Sequence, residues 1–291
     1  MDLPLVVGVD GSDSSLTAVD WAVDEAVRHG LPLHLVHASL WEMYEGAQPS
    51  FTTDRPAEEV MAEHIVASCV ERARRRHPEL KVSGEALAQD AVSVLLRAGP
   101  EAFALVTGSR GRGGIAGMLL GSVSLAVAAR AVCPVVVVRG AEPNRRGAFG
   151  RVVVGVGDAT GSAAAVRFAV REAEVRGCDL TAVRAWRNPS QEPVDHMLIA
   201  DDAARLREER AANVLDDALR EAVREHPRVD VRRQPLEGPA HRILLKASAE
   251  ADMIVVGAQR RHGHFGLQLG RVAHTLLHHS DCPVAVVPQP V

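Results

Sequence analysis

Gly108, Gly111, Gly121 and Ser122 stand in the stretch "VTGSRGRGGIAGMLLGSVS", residues 106–124, with the spacing Gly-x2-Gly-x9-Gly-Ser. Glycine backbone and a hydroxyl are poor tools for breaking bonds but good ones for holding an anion. Gly111, Gly113 and Gly114 are expected to take positive φ, so that consecutive N–H groups converge on phosphate oxygens. Gly121-Ser122 would then set a hydroxyl and unbonded amides at the start of a helix, where the dipole favours negative charge. Arg110 and Arg112 add positive charge to the loop or lie solvated on its surface.

Other phosphate chemistries fail on residue type. A Walker loop needs G-x-x-x-x-G-K-[ST], and the chain's two lysines, Lys81 and Lys246, follow no such run. The Gly111-x-Gly113-x-x-Ala116 pattern partly matches a dinucleotide fingerprint. It follows the fourth apolar run rather than the first, however, and Cys133-Pro134 stand where an acidic residue should read the ribose. No G-x-S-x-G elbow offers a nucleophile. The loop holds no lysine, histidine or paired carboxylate, which speaks against an enzyme. His262, His264, His274, His278 and His279 cluster near a second, degenerate loop over 257–270, and His274 and His278 have the i,i+4 spacing of a zinc chelate. Without HExxH, and with no carboxylate or cysteine at ligand spacing, they are expected to be surface or interface histidines and no metal is expected.

These residues need strands and helices to hold them. Val6–Val9 reads as a short buried strand, followed by "DGSDSS" with several N-cap candidates and a helix ending near His29-Gly30. Further strands fall at 33–38, 82–88, 105–107 and 135–138, with helices from about 56 to 77, 91 to 99 and up to Ala131. Strand–helix alternation with continuous Val/Leu runs predicts a parallel sheet covered on both faces, with ligands at the carboxyl ends of its strands.

The whole arrangement is written twice. "LVVGVDGSDSSLTAVDWA" (5–22) recurs as "VVVGVGDATGSAAAVRFA" (152–169), "LVTGSRGRGGIAGMLLGSV" (105–123) as "IVVGAQRRHGHFGLQLGRV" (254–272), and "VCPVVVV" (132–138) as "DCPVAVV" (281–287). The fold class is therefore α/β, two tandem Rossmann-like domains, each a five-stranded parallel sheet flanked by helices. The expected division is 1–139, a linker over 140–150, and 151–291. Bare apolar edges at the final strands predict that the two halves pair through those strands.

At 291 residues, 47% hydrophobic and with a net charge of −4, the chain has the composition of a globular protein and offers no electrostatic case for nucleic acid or an anionic membrane. The N-terminus lacks a basic start, no stretch approaches a membrane span, and Cys69, Cys133, Cys178 and Cys282 form no CxxC pair. Reduced buried thiols and a cytoplasmic location are expected.

Together the glycine motif, the "VVGVDGS" opening, the "LHLVHA" second strand and the "CPVVVV" ending resemble a universal stress protein of the tandem two-domain type, over nearly the whole chain. In the ATP-binding branch of that family the aspartate ending the first strand contacts the nucleoside. The resemblance places that role on Asp10, beside Gly8 and Val9. The residue after the second-strand histidine, here Ala38 after His37, borders adenine through its backbone. Triphosphate contacts fall on Gly108, Ser109, Arg110, Gly111, Arg112, Gly113 and Gly114, and on Gly121, Ser122, Val123 and Ser124. The resemblance implies ATP as ligand, a nucleotide-responsive role under stress, pairing through the last strand and no defined reaction.

The second half departs from the pattern: Gly157 stands for Asp10, Arg260 for Gly111 and Arg271 for Ser122, while Gly257 and Gly270 remain. One nucleotide per chain is expected, held by the first half. Arg260, Arg261 and Arg271 either bind an anion through their side chains or lie across a vacant pocket. The expected function is regulatory, with ATP occupancy biasing a conformation or an interface that an unknown protein partner reads, and with a further homodimer open. The alternatives are a slow ATP hydrolase or nucleotidyl-transfer relative, and a ligand-free scaffold.

Overall fold

The computed structural model describes residues 3–40, 57–111, 120–158, 160–187, 197–259 and 269–289. The chain divides into two compact units, Met1–Arg139 and Gly140–Val291.

The first unit runs β1 (Leu5–Gly8), α1 (Asp13–His29), β2 (Leu33–Ala38), α2 (Ala57–Arg76), β3 (Val82–Leu87), α3 (Ala91–Ala98), a 3-10 turn (Gly99–Glu101), β4 (Ala104–Gly108), α4 (Ser122–Arg130) and β5 (Val135–Val138). Its strands lie in the order β3-β2-β1-β4-β5. All pairings are parallel: Leu5 stands opposite Leu33 and Ala104, Leu33 opposite Val82, and Leu105 opposite Val135. Leu5, Val6, Val7 and all of β4 are buried, as central strands covered on both faces must be. The more polar "VSGEAL" of β3 lies at an edge, where exposed polar side chains discourage further pairing. Chain order reverses between β1 and β4, so the crevice beyond their carboxyl ends is where such a sheet takes a ligand.

Local chemistry sets the ends of the helices. Ser12 caps α1, its hydroxyl accepting from Ser15 N at 3.2 Å, and Gly30 at φ 66° closes it. Ala18, Val19, Trp21, Ala22, Val23 and Ala26 form the buried face of α1. Two bidentate pairs tie α2 to its outer side: Arg72 reaches both oxygens of Asp20 at 2.6 Å, and Arg76 both of Asp24 at 2.7 Å. These hydrogen bonds raise both guanidinium pKa values above their ordinary value. The pairs are partly solvated, so their geometry orients α2 more than it stabilises the fold.

The second unit repeats the plan: α5 (Glu142–Arg145), β6 (Arg151–Gly155), a 3-10 turn (Thr160–Ser162), α6 (Ala163–Arg176), β7 (Asp179–Trp186), α7 (Met197–Glu225), β8 (Val231–Glu237), α8 (Ala240–Ser248), β9 (Met253–Gln259), α9 (Arg271–His279) and β10 (Val284–Gln289). Its parallel strands lie in the order β10-β9-β6-β7-β8. Segment 140–150, a linker by composition, is anchored within this unit. Asn144 is buried, and its amide donates to the carbonyls of Ser248, Ala249 and Ala251 at 3.2, 3.2 and 2.8 Å. Asp252 accepts from Phe149 N and Arg151 N, both at 2.9 Å.

No described helix is long and apolar enough to cross a membrane. No disulfide joins the four cysteines, three of which are buried. Burial pushes the thiols of Cys133 and Cys178 up to about 11 and raises that of Cys69 as well.

Candidate functional site

The carboxyl ends of β1 and β4 converge on Asp10. One carboxylate oxygen of Asp10, Oδ1, accepts from Ser12 N at 3.0 Å and Ser12 Oγ at 2.6 Å, which fixes the orientation of the group. Its backbone N–H reaches Ser15 Oγ at 3.4 Å. The second oxygen faces the glycine loop: a Cβ on Gly111 would sit 2.5 Å from Asp10 Oδ2. Only a residue without a side chain lets the loop approach the carboxylate this closely.

The end of β4 is equally constrained. A Cβ on Gly108 would meet the hydroxyl oxygen, carbonyl carbon and carbonyl oxygen of Ser14 at 2.6–2.7 Å. Ser14 Oγ accepts from Arg110 N at 3.1 Å and lies 3.5 Å from Ser109 Oγ. Gly121 N donates to Ser109 O at 2.8 Å, and Ser124 Oγ donates to Gly108 O at 2.7 Å. The first turn of α1, the end of β4 and the start of α4 are thus fastened to one another around a single crevice.

The remaining candidate residues border it. Gly8 lies beneath Leu95, whose Cδ1 would be 3.0 Å from an added Cβ. Val9 is buried and its carbonyl accepts from His37 Nδ1 at 2.7 Å, which fixes the tautomer of that buried ring. Ala38 ends β2. Ser122 is the exposed first residue of α4, behind an N-cap at Gly121 that offers no side-chain hydrogen bond, so the opening amides of the helix keep their donor capacity. Val123 is half-buried and Arg110 is exposed. Arg112, Gly113 and Gly114 lie outside the described residues.

Two sequence expectations change in detail. Gly111 does not adopt the left-handed conformation; its bare Cα is required by Asp10 Oδ2, while Gly11, beside Asp10, is the residue at φ 77°. Ser124 is buried and its hydroxyl proton is used on Gly108 O, so it braces the crevice from behind. Ser12, Ser14, Ser15 and His37 complete the site. The sequence marked the serines only as capping candidates in "DGSDSS".

The second unit keeps the backbone of this site and loses its carboxylate. Gly157 occupies the place of Asp10, and its N–H donates to Ser162 Oγ at 2.8 Å, as Asp10 does to Ser15. Arg184 takes the position of His37 and its guanidinium reaches Val156 O at 3.4 Å. Asp158 is 80% exposed and 3.8 Å from Arg184 Nη2. Gly257 packs against Gln289, whose Nε2 would be 2.8 Å from an added Cβ. Arg260, Arg261, His262 and His264 lie outside the described residues. The rings of His274 and His278 stack with centroids 4.4 Å apart.

Two doubly wound parallel layers, each with its crevice at the strand-order reversal, define a tandem Rossmann-like protein. The universal stress protein family matches twice, over residues 3–139 and 148–288, and the chain belongs to that family. A universal stress protein of Mycobacterium tuberculosis is 32% identical over 296 residues, spanning 98% of this chain and 97% of its own. One from Mycolicibacterium smegmatis is 29% identical over 291 residues, spanning 97% and 96%. The crystal structure of a universal stress protein from Archaeoglobus fulgidus superposes with a TM-score of 0.69 at 18% identity, covering 99% of this chain and 98% of that one, and so shares its fold.

Proposed function

We propose that this universal stress protein is an ATP-responsive regulatory protein whose first unit holds one nucleotide. The observation that carries the reading is the fixed Asp10 carboxylate lying against Gly111, in a crevice closed by Gly108 and the uncapped start of α4. In this reading Asp10 accepts from the nucleoside, Ala38 borders the base, and the segments 108–114 and 121–123 take the phosphates, with Ser124 bracing Gly108 from behind. Arg110, which is exposed, and Arg112 lend positive charge.

Occupancy stabilises the conformation that ATP prefers by RT ln(1 + [ATP]/Kd), and this is the quantity a partner protein would read. Among the described residues, Asp10 Oδ1 is held by Ser12 and His37 Nδ1 by Val9 O, which supports a binding role for both groups. In this reading the protein binds ATP without turnover and acts in the cytoplasm. The test is calorimetry with ATP on the intact chain, alongside phosphate release over hours. Saturable binding with no multiple turnovers supports the reading. Absence of binding refutes it, and turnover lost in Asp10→Ala would make the protein an enzyme.

A further inference from the structure

The second unit contains a cleft of about 600 Å³, lined by the carboxyl ends of β6, β7 and β9 and the first turn of α9. This lies within the range of roughly 300–1,000 Å³ typical of small-molecule sites. Arg271 does not fill the space, although it lines it.

The wall is divided by chemistry. Val156, Val183, Ala185, Leu244 and Val256 give it a largely apolar floor. At one end stands Arg271, exposed, with no carboxylate partner among the described residues. The N-cap of α9, Gly270, gives no side-chain hydrogen bond to the opening amides. The lining carboxylate, Asp158, is turned to solvent and offset by Arg184 at 3.8 Å. Gly157 lacks the side-chain carboxylate that Asp10 supplies in the first unit, and its own N–H is bound to Ser162.

We infer that this cleft is a second ligand site of a different class, taking an oxyanion carried on an apolar body rather than a nucleotide. The anionic head sits against Arg271 and the start of α9, where positive charge and unbonded donors coincide. The apolar body covers the floor formed by Val183, Ala185 and Leu244. The second crevice thus lacks the carboxylate that Asp10 gives the first. The inference is independent of ATP binding in the first unit.

The probe is 8-anilinonaphthalene-1-sulfonate, an aromatic sulfonate that fluoresces when its rings leave water. Titration into the full chain, with folding checked by a circular dichroism melt, should show one saturable site. Arg271→Glu, which changes an exposed side chain, should weaken it at least tenfold, and Ala185→Leu, which narrows the floor, should weaken it comparably. Asp10→Ala and saturating ATP should leave it unchanged. Octanoate and octyl phosphate as competitors decide whether a carboxylate or a phosphate head is preferred, and displacement by either supports the inference. It is overturned if no saturable site exists, if ATP displaces the probe, if neither competitor does, or if both folded variants bind like the wild type.

Discussion

Gly111→Ala adds a single methyl group, and the structure states what that group meets. The new Cβ would lie 2.5 Å from Asp10 Oδ2, far inside an ordinary C···O contact of roughly 3.3–3.6 Å. Either the loop retreats or the carboxylate turns, and turning it strains the bonds from Ser12 N and Oγ at 3.0 and 2.6 Å. The helix itself keeps its cap, because Ser15 N donates to Ser12 Oγ and not to Asp10. The fold should therefore hold while the nucleoside contact fails. A charge-assisted hydrogen bond contributes about 1.5–3 kcal/mol. At about 1.4 kcal/mol per decade, ATP affinity should fall roughly tenfold to a hundredfold. Calorimetry on Gly111→Ala, Asp10→Ala and the double variant forms a closed cycle. If both changes act through the same carboxylate, the double variant is no weaker than Asp10→Ala alone. Wild-type affinity in Gly111→Ala, or fully additive losses, would refute the reasoning.

Other consequences are independent of one another. Gly108→Ala drives a Cβ into the Ser14 backbone at 2.7 Å, so it should lower thermal stability by about 1–3 kcal/mol as well as weaken ATP, unlike Gly111→Ala; an unchanged melting temperature would contradict this. Asp90 caps α3 through Ser93 N and Oγ at 2.8 Å, and those bonds hold its carboxyl below the usual range. Its contribution is present above the unfolded value of about 3.9 and lost as pH falls through the folded one, so the destabilisation of Asp90→Ala, about 1 kcal/mol at most for so exposed a group, should vanish in acid melts. With its buried thiol raised to about 11, Cys133 should react slowly with a disulfide reagent at pH 8 in the native protein and rapidly once denatured; fast native reaction would contradict its burial.

The fold was legible because its signals are local and repeated. Val6, Val7 and Val135–Val138 read as strands from their own runs, and the second copy confirmed each element in turn. The site was legible in composition but not in cause. Gly111 stood out as a glycine, yet its reason is an oxygen on residue 10, which no spacing within 106–124 reveals. Ser14 meets Arg110 N across 96 positions, and a capping motif carries no hint of that partner. Segment 140–150 lacked apolar periodicity because Asn144 and Asp252 anchor it through backbone groups, a mode of burial that leaves no hydrophobic pattern. The counterpart of Asp10 was readable as a loss at Gly157. That Ser162 preserves the turn without the carboxylate became clear only from the hydrogen bond.

The central claim is that one ATP binds per chain, through the first unit's Asp10. Titration of ATP into the intact protein by calorimetry tests it most directly, with Asp10→Ala in parallel. A stoichiometry near one, abolished or weakened at least tenfold in the variant, is the predicted result. No binding, or two sites that both survive Asp10→Ala, would contradict it.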